Sequence, residues 1–407
     1  MKRLLFLLLL IPVLSFGQEV TTYGDKALTY GGDVATYAYC PEYQAVYDAY
    51  TTKPSDAVAA IDNTMVVGLV SDGVWAKLDV VWVYAAHINA AGEALLDWKQ
   101  PAGGANQTPQ GTFDSATGWT LGTGWSIANG KATCDGTAGN NYLSEDPYTL
   151  VAGKTYMVTF TVTDYTSGTI RARCAGGESP ARSSTGTFTA VILSDGVNFR
   201  MQGASFNGSI DDVSVVEWTN ATAYNAPTFT AYEGFLGNGT TQYIDCNWVP
   251  SVNGVNYTQN SASMLIYVRT NVNTNTAHGT AENADTKDLF FTPKQADGKA
   301  YIKTNDFTYI SVSNADGSGM YINTRTAAAV NKLYRNKIAI INGTTASIGV
   351  PTHSPYCLAY NNDDVAAGFR ADQVSLYAFG AGLTQTDVNN ITDYYNNAMR
   401  ILGKNVF

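Results

Sequence analysis

The sequence predicts an all-β protein made of two antiparallel β-sandwich (jelly-roll) domains, one inserted in the other, with a few peripheral helices. Three observations carry that expectation. Charged residues are only 14 % of the 407, while aromatics reach 12 % and glycine contributes 38, a profile of short pleated strands joined by many turns. From about residue 104 onward, short apolar runs alternate with polar positions and are separated by turn residues. The residues before 103 hold one helix and one strand, too little to enclose a core alone, so they must join strands that come later.

In chain order, Lys2 and Arg3 precede an apolar run from Leu4 to Leu14, then Ser15-Phe16-Gly17. This is a secretory-signal layout, with cleavage expected after Gly17; the bland alternative is an apolar N-terminal helix. The run is short for a membrane span and no Cys follows it for a lipid anchor. No later segment is apolar and long enough, so no membrane span is expected in the mature chain. A turn-rich leader leads to "PSDAVAAIDNTMVVGLVSDG", residues 54–73. Here Ser55 is the expected N-cap, Asp56 an acid in the first turn, and Gly73 the stop. Val58, Ile61, Met65 and Leu69 form the expected apolar face. "LDVVWVYAAH", residues 78–87, reads as a buried strand, and 88–100 as a polar excursion.

"PAGGANQTPQG", residues 101–111, reads as a linker into a block that ends near Trp218. Within the block, residues 155–177 read as two strands around a Thr166-Ser167-Gly168 turn. "STGTFTAVILS", "NFRMQGA" and "SIDDVSVVEW" supply three more. Strands continue from 226, and the chain closes on a helix over 383–403. Thr384 is its expected N-cap, Asp387 its N3 acid, and Val388, Ile391, Tyr395 and Met399 its packed face. The resulting organisation is a signal peptide (1–17), a leader with helix and first strand (18–103), an inserted module (104–218) and the remainder of the outer domain (219–407). Inserting a module into a loop costs little, because closure entropy grows slowly with loop length.

The acidic residues behind the net charge of −10 are scattered, which argues against a nucleic-acid groove. Cys40, Cys134, Cys174, Cys246 and Cys357 show no metal-ligand spacing. Cys134 with Cys174 is the one candidate disulfide, and the odd count leaves at least one thiol free. His87 reads as a strand-end residue and His278 as a loop residue; with His353 they lie far apart in sequence. No nucleophile elbow or metalloprotease motif accompanies them. A pair of acids a few ångströms apart can hydrolyse glycosides, but Glu233 and Glu282 stand isolated and read as exposed, solvated acids.

The segments "GFLGNGTTQYIDCNWVPS" and "FRADQVSLYAFGAGLTQTDVNNITDYYN" resemble the early strand pair and the final strand-plus-helix of the concanavalin A-like (laminin-G-like) jelly roll. With helix 54–73, "WAKLDVVWVYAAH" and "GEALLDWKQP", they look like structural proteins of phages and prophages of Bacteroidetes-type hosts. The insert's entry "GTFDSATGWTLGTGWSIANGKATC" and exit "FNGSIDDVSVVE" resemble a galactose-binding-like carbohydrate-binding module of the families 4 and 9 type. That resemblance implies a structural calcium between the opening loop and the final strand. Asp114 and Asp212 are the candidate ligands, since calcium takes carboxylates together with loop carbonyls. Asp211 and Asp212 alternate to opposite faces, so one of the two would contribute; a charged edge-strand residue is the competing reading.

Sugar recognition needs flat apolar faces for pyranose CH groups and polar side chains for hydroxyls. The insert offers Tyr142, Tyr165, Phe199 and Trp119 as platforms, with Arg171, Arg173 and Asn141 as polar partners. Strand alternation gives Trp125 and Ile127 one face, as a core pair would have, and core packing is the favoured reading of Trp119 as well. The expected function is non-enzymatic, lectin-like carbohydrate binding by a virion protein of tail or head-fibre type. Its partners would be a polysaccharide or cell-surface glycan and other virion proteins. Two alternatives stay open: a secreted adhesin or accessory glycan-binding protein, and a glycoside hydrolase or lyase. The resemblance also allows a homo-oligomer, although no heptad stretch would drive one.

Overall fold

The computed structural model describes residues 28–30, 33–35 and 39–407, except 109, 137–138, 175–176, 197 and 283–286. The signal-type run expected over 1–17 lies outside the described residues. Strands take 44 % of the chain and helices 15 %, as the all-β expectation requires.

A ribbon of β1 (Leu28–Tyr30) and β2 (Asp33–Ala35) is followed by helices α1 (Pro41–Ala49) and α2 (Asp56–Ser71) and strand β3 (Leu78–Trp82). The inserted block supplies β4 (Trp119–Leu121), β5 (Trp125–Ala128), β6 (Lys131–Asp135) and β7 (Asn140–Thr149). It continues with β8 (Thr155–Cys174), β9 (Gly177–Glu178), β10 (Gly186–Leu193) and β11 (Asn198–Glu217). Next come β12 (Thr222–Tyr224), β13 (Thr228–Thr230), β14 (Gly234–Leu236), β15 (Tyr243–Asp245), the short helix α3 (Pro250–Asn253) and β16 (Ala262–Val268). Then follow β17 (His278–Ala281), β18 (Asp288–Thr292), β19 (Lys299–Asp306), β20 (Ile310–Ser313), β21 (Gly319–Ala327), β22 (Val330–Arg335) and β23 (Ile338–Gly343). The chain ends with β24 (Tyr356–Cys357), β25 (Tyr360–Asn362), β26 (Val365–Ala367), β27 (Gln373–Gly380) and helix α4 (Gln385–Ile401).

The outer domain stacks two sheets and a helical layer. One sheet runs β12-β15-β24-β17-β18-β19-β20 and also carries β25 and β26; the other runs β13-β14-β27-β16-β21-β22-β23. Strand β3 pairs with β27, with Trp82 opposite Tyr377, so the segment before the insert shares a sheet with the segment after it. Strand β16 is buried along its whole length. Met264, Ile266 and Val268 face the inter-sheet core, whereas Leu265 and Tyr267 face the helices. A strand buried on both faces needs a continuous apolar run, which "ASMLIYV" supplies.

The closing helix meets its expectation residue by residue. Thr384 and Asp387 form a capping box, Lys77 pairs with Asp387 at 2.7 Å, and Val388, Ile391, Tyr395 and Met399 are buried. Helix α2 is rotated from its expected face. Met65 and Leu69 are buried, but Ala59 and Val66 complete the stripe while Val58 and Ile61 stay half-buried. Helix α1 occupies what reads as a turn-rich leader; its Tyr43, Val46 and Tyr47 pack into the helical layer.

Among the described residues, strands β4 to β11 pair only with one another and close over a separate core that holds Trp119, Trp125, Phe160, Phe199 and Phe206. Two expected breaks are absent. Residues 155–174 are one strand of 20 residues rather than a hairpin, and 198–217 are likewise one strand. Bulges at Ala204/Asn207 and Asp211/Ser214 bend the strand pair without ending it. Gly168, at φ +76, lies where a Cβ would strike the Ser205 carbonyl, so the glycine that reads as a turn signal serves a close crossing.

The insert leaves and re-enters the outer domain side by side. Gly104 and Gln107 donate to the carbonyls of Glu217 and Val215 at 2.8 and 2.7 Å. At the junction the buried Asp97 carboxylate accepts from Val81 N at 2.9 Å and Thr219 Oγ1 at 2.7 Å. Asn220 Oδ1 accepts from Asp97 N, and burial pushes the Asp97 carboxyl up to about 6.

Candidate functional site

Four strands of the insert, β7, β8, β9 and β11, build one polar face. On β8 the sequence "TIRARC" and on β11 "NFRMQG" alternate strictly, so one set of side chains goes inward and the other outward. Ile170, Ala172, Cys174, Phe199, Met201 and Leu143 enter the core. The opposite set lines up in two rungs. Gln202 stands opposite both Tyr142 on β7 and Arg171 on β8, and Arg200 stands opposite both Ser144 and Arg173. Glu178, on β9, is the register partner of Arg173.

These groups touch one another. The Arg200 guanidinium lies over the Tyr142 ring, 4.7 Å from its centroid, a cation–π contact that covers one face of the ring. Arg173 Nη1 donates to Gln202 Oε1 at 3.1 Å, and Gln202 Nε2 reaches the Tyr142 hydroxyl at 3.4 Å. Glu178 accepts from Arg171 and lies 3.7 Å from Arg173 Nε. Arg200 Nε is buried and unpartnered, leaving one donor unspent. Two guanidiniums thus share one carboxylate, and a third lies over Tyr142 on the same two rungs. Arginine offers planar, paired donors to carboxylates and sulfates, so the face is chemically matched to an acidic group.

The structure therefore brings together Tyr142, Arg171 and Arg173 from the sequence expectation and separates the rest. Phe199 is 0 % exposed because it alternates with Arg200, so it is core and offers no platform. Trp119 is buried against Phe113, with ring centroids 5.1 Å apart, and donates from Nε1 to Gln110 O; it too is core. Tyr165 packs at the rim of the same core, 6.4 Å from Phe206, and its hydroxyl donates to Gly168 O. Asn141 spends its amide on the Thr123 carbonyl. Gln202 and Glu178 are the members the sequence reading missed; the alternation in "FRMQG" places Gln202 beside Arg200, but only the register places it opposite Tyr142.

The candidate calcium ligands Asp114 and Asp212 are both exposed. Asp114 accepts from Thr112 Oγ1 at 2.8 Å, and Asp212 adopts φ +51 beside Asp211. Among the described residues no group of three or more His, Cys, Asp or Glu side chains converges, so a calcium ion there would draw most of its oxygens from backbone. Cys134 and Cys174 are separate free thiols, as are the other three cysteines.

The acids and histidines weighed for catalysis sit differently from expectation. His278 opens strand β17 and is fully buried, rather than lying in a loop. Its Nε2 lies 3.0 Å from Asp372, and Cys357 Sγ lies 3.9 Å from its Nδ1. This has the outline of a Cys-His-Asp site, but Nδ1 already accepts from Leu358 N at 3.0 Å and so has no lone pair for a thiol proton. Burial holds the imidazole below its ordinary value and pushes the Cys357 thiol well up. All three side chains are sealed from solvent. Glu282 is buried and accepts from Thr352 N and Oγ1, and Glu233 pairs with Lys404; neither is a free solvated acid. The strand expected over 78–87 ends at Trp82, so His87 lies in the following bend rather than at a strand end, with Nε2 at 2.7 Å from Thr52 O. A cleft of about 400 Å3 opens at the junction, between Leu95 and Leu96 on one side and Met157 and Trp218 on the other. Among the described residues no ionisable side chain lines it.

No family model matches the chain, and no curated protein matches it. Among solved structures, a Trypanosoma rangeli sialidase in complex with sialic acid aligns at TM-score 0.35 and 10 % identity, over 68 % of this chain and 62 % of that one. The same organism's sialidase with a difluoro-nononic acid aligns at TM-score 0.31 and 9 % identity, over 70 % and 64 %. A tail fiber protein from an E. coli phage aligns at TM-score 0.21 and 9 % identity, over 84 % and 48 %. The chain spans less than two thirds of each of these structures, and at such scores none of them defines its fold or its role.

Proposed function

We propose that this chain is a non-enzymatic surface-recognition protein whose inserted sandwich binds an acidic glycan. The observation that carries the reading is the alignment of Arg171, Arg173 and Arg200 around Tyr142 and Gln202 on one sheet face. A pyranose ring docked beside Tyr142, whose ring Arg200 covers, would present a uronate or sialate carboxylate to the guanidiniums. The sealed His278 and the engaged Glu233 and Glu282 support binding over hydrolysis. The likeness of the flanking segments to phage and prophage structural proteins supports binding at a host surface, with other virion proteins as neighbours. An exported adhesin is the second reading, favoured by the Lys2-Arg3 and Leu4–Leu14 layout. Mass spectrometry of the natively produced chain separates the two, since export predicts a mature terminus at Gln18.

The test is an immobilised-glycan array probed with the full chain. Binding should concentrate on uronate- or sialate-bearing glycans and fall about 100-fold in the Arg171→Ala/Arg173→Ala variant, at one to two charged hydrogen bonds lost per arginine. An array with no acidic glycan bound, or binding indifferent to the two substitutions, would sink the reading. A structural calcium at Asp114 and Asp212 belongs to the same proposal. About 1 mM Ca2+, in the range of extracellular calcium sites, should raise the melting temperature and EDTA should reverse it; an Asp114→Ala/Asp212→Ala variant should not respond.

A further inference from the structure

Helices α1, α2 and α4 cover the back of the eight-stranded sheet, so among the described residues the broad face left open on the outer domain is the back of the nine-stranded sheet. Alternation there sends Ile244, Cys357, Leu289, Phe291 and Ile302 into the core. It leaves an aromatic band pointing out. At one end Tyr224 and Tyr243 stack with centroids 4.7 Å apart and planes 5° apart, and Tyr356 lies 4.7 Å from Tyr243. At the other end Phe290 touches Tyr360 at 5.5 Å and Tyr309 at 5.4 Å, and Tyr309 touches Tyr301 at 5.9 Å. Between the two ends Gly279 stands opposite both Tyr356 and Phe290, so no side chain rises from β17 on that rung. The band crosses β12 to β19, five strand spacings of about 4.8 Å, or roughly 24 Å, which suits a polymer better than one sugar.

Solvated aromatic surface on this scale is costly to leave without a partner. Tyr224 is 41 % exposed and Tyr309 51 %, while Tyr356 and Phe290 between them are each 5 % exposed, so the solvated surface lies at the two ends of the band. The charges around the band select the partner. Asp364 is exposed on its side chain, and His353 lies 3.8 Å from it and 3.9 Å from Asp363. The cations here are committed: Lys303 pairs with Asp288 at 2.6 Å and lies 4.0 Å over the Tyr309 ring, and Lys299 pairs with Asp297. The face therefore offers acceptors and aromatic surface, which complement hydroxyl donors and sugar CH groups and oppose carboxylates.

We propose that this face binds a neutral pyranose polysaccharide laid across strands β12 to β19. It is a second glycan site, separate in residues and opposite in charge from the arginine face of the insert, and it stands or falls independently of that one. Affinity electrophoresis of the full chain through gels containing mannan, β-1,3-glucan, galactan, xylan or alginate reads it directly. The native chain should be retarded by at least one neutral polymer. Tyr224→Ala/Tyr243→Ala should weaken that retardation about tenfold, a typical return on losing two stacking faces. Tyr309→Ala, at the exposed far end, should weaken it severalfold, and Arg171→Ala/Arg173→Ala should leave it unchanged. Unchanged melting temperatures show that the tyrosine variants fold. Absence of retardation by every neutral polymer overturns the proposal, as does retardation that survives both tyrosine variants. Loss in the arginine variant would instead move neutral binding to the insert.

Discussion

The insert and the outer domain use the same alternation to make opposite surfaces. On the insert, β8 and β11 place arginines on the rungs where the outer domain's β15, β18 and β19 place tyrosine and phenylalanine. The insert face carries three guanidiniums, two of them on Glu178, whereas the outer face pairs its lysines off and keeps Asp364 exposed. Their scaffolds differ as well. The insert rests on one core, while the outer domain shares a doubly buried sheet between two. The lesson is that fold class alone specifies neither ligand; the identity of the outward residue on each rung does.

The largest effect expected from separating the two regions comes from beneath the arginine face. Phe199→Ala should cost the insert about 3–5 kcal/mol, as large core truncations do. Chemical denaturation should show an early transition for the insert, with acidic-glycan binding lost and neutral-polymer retardation kept. Joint loss of both would show that the two sandwiches fold as one unit. Next is Glu145, buried opposite Trp119 with one oxygen unpartnered. Burial pushes its carboxyl up from 4.5 to about 8. The folded insert therefore holds a proton that the unfolded chain releases, and it loses stability as pH rises from about 4.5 to 8. Glu145→Gln should flatten that slope and stabilise the insert at pH 8 by about 2 kcal/mol; an unchanged pH profile of melting temperature would refute it.

Salt should divide the faces more gently. Raising ionic strength from about 0.05 to 0.5 M shortens the screening length well below 10 Å, so acidic-glycan affinity should fall severalfold while neutral-polymer retardation changes little. The smallest effect concerns Asn141, whose amide serves Thr123 rather than the face. Asn141→Ala should cost about 1 kcal/mol in stability and leave glycan affinity within twofold, measured by titration calorimetry.

Much of this was legible from the sequence. The all-β class followed from turn density and alternation, and the α4 capping box from Thr384 and Asp387 at the right spacing. Arg171 and Arg173 announce themselves by alternation within one strand. Helix α1 was hidden because nine residues beginning at Pro41 give too short a periodic signal. The long strands β8 and β11 were misread because a bulged, bent strand and a hairpin both call for glycine and polar residues at Gly168. Phe199 shows the cost of weighing aromatic identity above parity, since it lies on the inward phase, whereas Trp119 is core, as its favoured reading has it. The aromatic band was not legible at all: its rungs join Asp245 to Tyr356 and Phe290 to Lys303, and register between strands so distant is a product of folding.

Isothermal titration of a uronate hexasaccharide into the full chain, with and without a saturating neutral polymer identified by gel retardation, tests the two-face account most directly. The account predicts binding of the acidic sugar with the same affinity and enthalpy in both cells, weakened about 100-fold by Arg171→Ala/Arg173→Ala. Absence of heat in either cell, or displacement of one sugar by the other, would contradict it.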